Sequence, residues 1–123
     1  MKIVWLFLAG GCGTLARYGV SAAVQRATGA VFPWGTFTVN VLGCFLAGSF
    51  WAFAESRLTV TGEMRAVILI GFIGGFTTFS AFMLESSHLM RDTEWLWFGG
   101  NILLSNLAGF AAVVAGLALG RLL

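Results

Sequence analysis

Apolar residues run along this chain in four blocks, and polar residues gather between them. A helix needs about 20 mainly apolar residues to cross the hydrocarbon core of a bilayer. Windows of that kind lie at 3–24, 32–53, 64–84 and 95–119. The sequence between them is short. Thr28-Gly29-Ala30 leads into Phe32-Pro33-Trp34, a turn followed by a helix start, and proline suits a first helical turn because that N–H has no intrahelical partner. The stretch 55–63 carries charges, hydroxyls and a glycine and reads as a loop, and Arg91-Asp92-Thr93-Glu94 forms the last connection. Trp34, Trp51, Trp95 and Trp97 fall near window ends, where aromatic belts meet the headgroups. The pattern predicts an all-α membrane protein with four transmembrane helices in one domain, residues 1–123. A signal peptide in place of the first span is the weaker reading, because the apolar run continues past a usual h-region.

Composition agrees. Of 123 residues, 59% are hydrophobic and 10% charged, against roughly 25% charged in an average soluble domain. A net charge of +2 supplies no basic stripe for nucleic acid. Cys12 and Cys44 lie inside apolar runs and the chain has one histidine, which argues against a disulfide framework and a Cys/His metal centre. No Ser-His-carboxylate set, paired intramembrane carboxylate or phosphate-cradling loop is present, so nothing points to an enzyme. His88 falls just past a window end.

The basic residues do not choose an orientation. With four spans, Lys2, Arg57, Arg65 and Arg121 share one side, and Arg17, Arg26 and Arg91 the other. Orientation follows Lys and Arg near span ends, and this near balance admits two readings. In one, a single early charge decides. In the other, the chain inserts both ways and forms an antiparallel homodimer with its two-fold axis in the membrane plane. Ala108, Ala112, Gly116 and Gly120 recur every fourth residue on the fourth span. Thr36, Asn40, Gly43 and Ala47 line one stripe of the second. Such stripes let helix backbones approach closely in lipid.

The most informative stretch is Gly71-Phe72-Ile73-Gly74-Gly75-Phe76-Thr77-Thr78-Phe79-Ser80-Ala81-Phe82. Adjacent glycines followed by threonines weaken a helix at bilayer depth, and free backbone groups there must be buried in protein or line water. Gly-Gly alone would favour a kink that serves packing; the Thr, Thr and Ser beside it favour a site, and the expectation is a third helix broken at Gly74-Gly75. Interrupted membrane helices use freed carbonyls for a cation and the new N-terminus for an anion. Phe79 and Phe82, three apart, share a helix face, either as lipid-facing or core aromatics of the kind common in any span, or as a site that uses the ring edges. Their ring edges are positive and can coordinate an anion weakly, as conduction requires. Asn40, two turns into the second span, serves either as helix-to-helix glue or as a donor to an anion. Arg17 either snorkels or makes an electropositive vestibule. Ser105 and Asn106, with Asn101 a turn before, extend a polar path or bond their own helix. Glu85, at the end of the third span, faces a vestibule or the interface.

Three segments together resemble one family. Gly10-Gly11-Cys12-Gly13-Thr14-Leu15-Ala16-Arg17-Tyr18 is similar to the Gly-rich first helix of the CrcB/Fluc fluoride channels. Trp34-Gly35-Thr36-Phe37-Thr38-Val39-Asn40-Val41-Leu42-Gly43 resembles its second-helix motif, and Gly71 to Phe82 its third-helix signature. The resemblance implies an antiparallel dual-topology homodimer in the inner (plasma) membrane that exports cytoplasmic fluoride passively through two pores. It implies that Asn40, Phe79 and Phe82 line the fluoride pathway, with Thr78, Ser80 and Ser105 on or near a polar track. Arg17 and Glu85 would shape the vestibules. The carbonyls of Gly74 and Thr77 from both chains would hold a structural sodium ion. A threonine is common in the family where this chain has Ala81. Two other classes compete: a small proton-coupled exporter, which would need a membrane-embedded carboxylate that the first two spans lack, and a non-transporting assembly subunit, which the small-residue stripes alone would fit.

Overall fold

The computed structural model describes residues 1–123. The chain is helical throughout and contains no strand: α1 Lys2–Thr28, α2 Trp34–Glu55, α3 Gly62–Ala66, a π-helical stretch Val67–Ile73, α4 Gly74–Phe76, α5 Phe79–Arg91 and α6 Trp95–Leu122. Four helical stretches are long and apolar enough to cross a membrane, the third being the composite Gly62–Arg91. They coincide with the four expected windows and extend beyond most of their ends. The largest extension, at the third, carries helix through Glu85 and His88, so both lie inside it.

Local chemistry sets the helix ends. α1 stops at Gly29, whose φ of 56° is left-handed and whose N–H bonds the Gln25 carbonyl at 3.0 Å. A side chain would be strained there. Thr61 caps α3 by accepting from the Met64 amide at 3.2 Å. Phe32 is buried among Trp34, Phe37 and Trp97, with ring centroids 4.6, 5.9 and 5.9 Å away, and this cluster ties the α1–α2 turn to the start of α6.

α2 packs most extensively against α6, and α1 packs against the segment 67–76. In both contacts glycines let backbones come close. A Cβ on Gly116 would lie 2.2 Å from the Phe45 carbonyl oxygen, and one on Gly48 would lie 2.4 Å from that of Val113. Few residues are buried: 20 of 123. Ile3, Phe7, Leu15 and Tyr18 of α1 and Leu103, Leu107 and Phe110 of α6 are exposed. Such an apolar exterior needs lipid or another protein surface around it, which makes this a multi-pass membrane protein.

Candidate functional site

The third helical stretch loses its helical path at Thr77 and Thr78. Gly74 is itself helical, with φ −62° and ψ −35°. Thr77 is extended at φ −91°, ψ 159°, and Thr78 at φ −152°, ψ 118°. The non-helical residues therefore lie after the glycine pair at which the sequence pattern places the break. The glycines serve packing: a Cβ on Gly75 would sit 2.5 Å from the Gly10 carbonyl oxygen of α1.

Leaving the helix strips backbone groups of their partners, and side chains from other helices replace them. Asn40 of α2 does most of this. Its Nδ2 donates to the Thr78 carbonyl at 2.9 Å, and its Oδ1 accepts from the Thr78 amide at 2.7 Å. One planar amide thus substitutes for a stretch of helix ladder. Arg17 Nη1 donates to the Thr77 carbonyl at 3.2 Å. Thr78 then caps the next helix, its Oγ1 accepting from the Ala81 amide at 3.2 Å and lying 3.3 Å from Ser80 Oγ. The Thr77 hydroxyl turns back to the Ile73 carbonyl at 3.0 Å.

Two cavities meet at the break. The larger, about 650 Å³, lies between α1, α2 and α5, and its walls include Arg17, Gln25, Thr36, Thr78, Ser80 and Glu85. A second, about 320 Å³, is lined by Asn40, Thr77, Thr78 and Phe79, with Cys44 and Val113. Thr78 lines both. The structure thus brings Arg17, Asn40, Thr78, Phe79, Ser80 and Glu85 to one locality.

The remaining candidates sit differently. Phe79 is 72% exposed, whereas Phe82 is 5% exposed and packed inside the chain. Their ring centroids are 5.8 Å apart at 53°. Ser105 lines neither cavity. Its hydroxyl donates to Asn101 Oδ1 at 3.2 Å, Asn101 Nδ2 donates to Ser86 Oγ at 3.0 Å, and Ser86 Oγ donates to the Phe82 carbonyl at 2.7 Å. That chain of bonds is buried between α5 and α6, with Asn101 1% exposed. In the single chain it is interhelical glue. Asn106 bonds its own helix at Ile102, 2.7 Å away.

Two contributors are not legible as site residues in the sequence. Gln25 Nε2 donates to the carbonyls of Ala30 (2.9 Å) and Phe32 (3.3 Å), and its Oε1 accepts from the Gly35 amide at 3.1 Å. It fastens the α1–α2 turn at the rim of the larger cavity. Thr36 donates to Glu85 Oε1 at 2.6 Å and so couples α2 to α5. Gln25 stands out in the sequence only as an amide in a last helical turn beside a Gly/Pro loop. Thr36 stands out only as a member of a packing stripe.

The donor set has the chemistry for a cation as well as an anion. The Gly74 carbonyl would ordinarily bond the Thr78 amide, which Asn40 takes instead. The Thr77 carbonyl uses one lone pair for Arg17 and keeps another. Both fit a monovalent ion held by backbone oxygens.

Comparison with known proteins follows the same lines. Residues 4–117 match the family model described as CrcB-like protein, Camphor Resistance (CrcB). The chain belongs to the CrcB family. It is 52% identical over 122 residues to the fluoride-specific ion channel FluC of Desulforapulum autotrophicum, covering 99% of this chain and 98% of that protein. It is 48% identical over 122 residues to that of Nitrosococcus oceani, with the same coverage. With that of Nitratidesulfovibrio vulgaris the identity is 50% over 125 residues, 98% of each chain. The CrcB assignment agrees with the resemblance carried by the three sequence segments.

Proposed function

We propose that this CrcB-family chain is a passive, fluoride-selective channel of the inner (plasma) membrane that lets cytoplasmic fluoride leave down its own gradient. The observation that supports it best is the helix break at Thr77-Thr78. There hydroxyl donors, one free Asn40 N–H and the exposed Phe79 ring converge beside an arginine-lined cavity, in a chain whose full-length relatives are named fluoride-specific ion channels. Fluoride is small and strongly hydrated, so a pore must replace its water with donors. Asn40, Thr78 and Ser80 provide them, and the Phe79 edge adds weak positive potential. Arg17 raises local anion concentration in the cavity beside the break without binding so tightly that the ion stays.

The working unit in this proposal is an antiparallel homodimer with the break at mid-membrane and two pores. The exposed apolar faces of α1 and α6 and the near balance of basic residues support it. A Cβ added at Gly11, Gly99 or Gly100 would meet nothing within 4 Å, so these positions leave room for close approach of a second copy. Phe82, buried here, then acts from the wall behind Phe79, and Ser105 continues the polar track through Asn101. The Gly74 and Thr77 carbonyls of both copies hold a structural sodium ion, which when bound supplies a fixed positive charge at the break.

Purified protein in liposomes should release fluoride rapidly and retain chloride. Absence of efflux from well-folded protein would refute the channel and favour an assembly subunit. Glu85 is the one carboxylate lining the larger cavity, and a proton-coupled exporter would have to use it. Fluoride flux that follows an imposed proton gradient, and is lost in Glu85→Gln, would favour that second reading.

A further inference from the structure

The break carries a cation of the chain's own. Arg17 Nη1 bonds the Thr77 carbonyl, one of the two oxygens assigned above to sodium. A guanidinium does not deprotonate in a protein, and this one bonds a backbone carbonyl and not a carboxylate that would neutralise it.

Its placement is built in by α1. Gly10, Gly13 and Arg17 lie on one stripe of that helix, three and four residues apart. A Cβ on Gly13 would meet the Phe72 carbonyl oxygen at 2.1 Å, and the Gly10 carbonyl sits where a Cβ of Gly75 would fall. These glycines press α1 against the backbone leading into the break. The next turn of the same stripe then brings Arg17 level with Thr77. A snorkelling arginine would extend to the membrane surface; this one reaches inward to the point where the helix opens.

We propose that Arg17 is a positioning residue that sets how tightly the break holds its cation. Guanidinium and sodium ion draw on the same carbonyl oxygen and repel one another, so the ion is held more weakly than the carbonyls alone would hold it. The proposal rests on the sodium reading given above. Its functional consequence is that each chain keeps a positive charge at its break whether or not the shared ion is bound, so the anion path never loses that potential.

The test uses the purified protein at constant ionic strength, with sodium chloride replacing N-methyl-D-glucamine chloride stepwise. Thermal unfolding, followed by tryptophan fluorescence, reads the sodium dependence of stability. Removing a unit charge one carbonyl away from the ion should lower the sodium midpoint of Arg17→Gln by about tenfold relative to the unaltered protein. Arg17→Lys, which keeps the charge, should stay near the unaltered value. Loss of a merely structural contact would weaken sodium binding, which is the opposite direction. An unshifted or raised midpoint in Arg17→Gln overturns the proposal. No sodium dependence in the unaltered protein overturns the sodium reading and this proposal with it; dependence there without a shift in the variant overturns only the role of Arg17. If Arg17→Gln does not assemble, Arg17→Met takes its place in the same titration. If neither neutral variant assembles at any sodium concentration while Arg17→Lys does, the charge is required for assembly and does not oppose the ion, and the proposal fails.

Discussion

Replacing Asn40 with alanine should loosen the break more than any other single change. The amide makes two bonds to one residue, at 2.9 Å to the Thr78 carbonyl and 2.7 Å from the Thr78 amide. Losing it leaves both backbone groups without a protein partner. A buried polar group left unpaired costs about 1–3 kcal/mol. Thr78 borders both cavities, so water recovers part of that cost, and a net loss of roughly 2 kcal/mol follows. Asn40→Asp still accepts from the Thr78 amide but has no donor for the carbonyl, and it places a negative charge beside the anion path. Its stability should fall at least as far as that of the alanine variant, because a carboxylate oxygen then faces the Thr78 carbonyl with no proton between them, while fluoride efflux should be lost in both. Two measurements check this together: amide hydrogen exchange at Thr78 and denaturant unfolding in mixed micelles. Unchanged exchange at Thr78 in Asn40→Ala, with unchanged stability, would refute the claim that this side chain replaces the helix ladder.

Phe79→Ile should leave thermal stability within about 0.5 kcal/mol, because the ring is mostly exposed, yet strongly reduce fluoride efflux from liposomes. Phe82→Ala should cost about 3–5 kcal/mol, since that ring is buried; unfolding measurements would show the contrast between two residues of one motif. Gly116→Ala puts a methyl group 2.2 Å from the Phe45 carbonyl oxygen, and forcing α2 and α6 apart should cost about 1–3 kcal/mol, read as a lower thermal midpoint. Asn101→Leu removes the link between Ser86 and Ser105 and should destabilise α5 against α6 by about 1–2 kcal/mol; because it interrupts the polar track through Ser105, it should also slow fluoride efflux from liposomes.

The spans are legible because hydrophobic windows of bilayer length are a strong signal over many residues. The sequence points to an interruption at Gly74-Gly75, whereas the extended residues are Thr77 and Thr78. Two glycines look like the weakest point of a helix, but a glycine's other use is to let another backbone come close, and Gly75 is spent on Gly10 of α1. What opens the backbone at Thr77 and Thr78 is an amide arriving from position 40, and no local propensity records that. Arg17 reads in the sequence as a vestibule or snorkelling residue; its bond to Thr77 depends on how α1 docks, which the glycine stripe hints at and does not specify. Ser105 is ambiguous for a different reason. A serine beside two asparagines on an apolar helix reads equally well as a polar path or as glue, and only the positions of Asn101 and Ser86 separate the two in the single chain. Gln25 escapes notice because its partners are backbone groups of the α1–α2 loop and the first turn of α2, whose course follows from tertiary packing.

Passive, selective fluoride conduction through the break held by Asn40 and Arg17 is the central claim. Efflux from liposomes loaded with equal fluoride and chloride, with no proton gradient imposed, tests it most directly. Rapid release of fluoride with chloride retained is the predicted result. Retention of both ions by well-folded protein, or fluoride release only when a proton gradient is supplied, would contradict it.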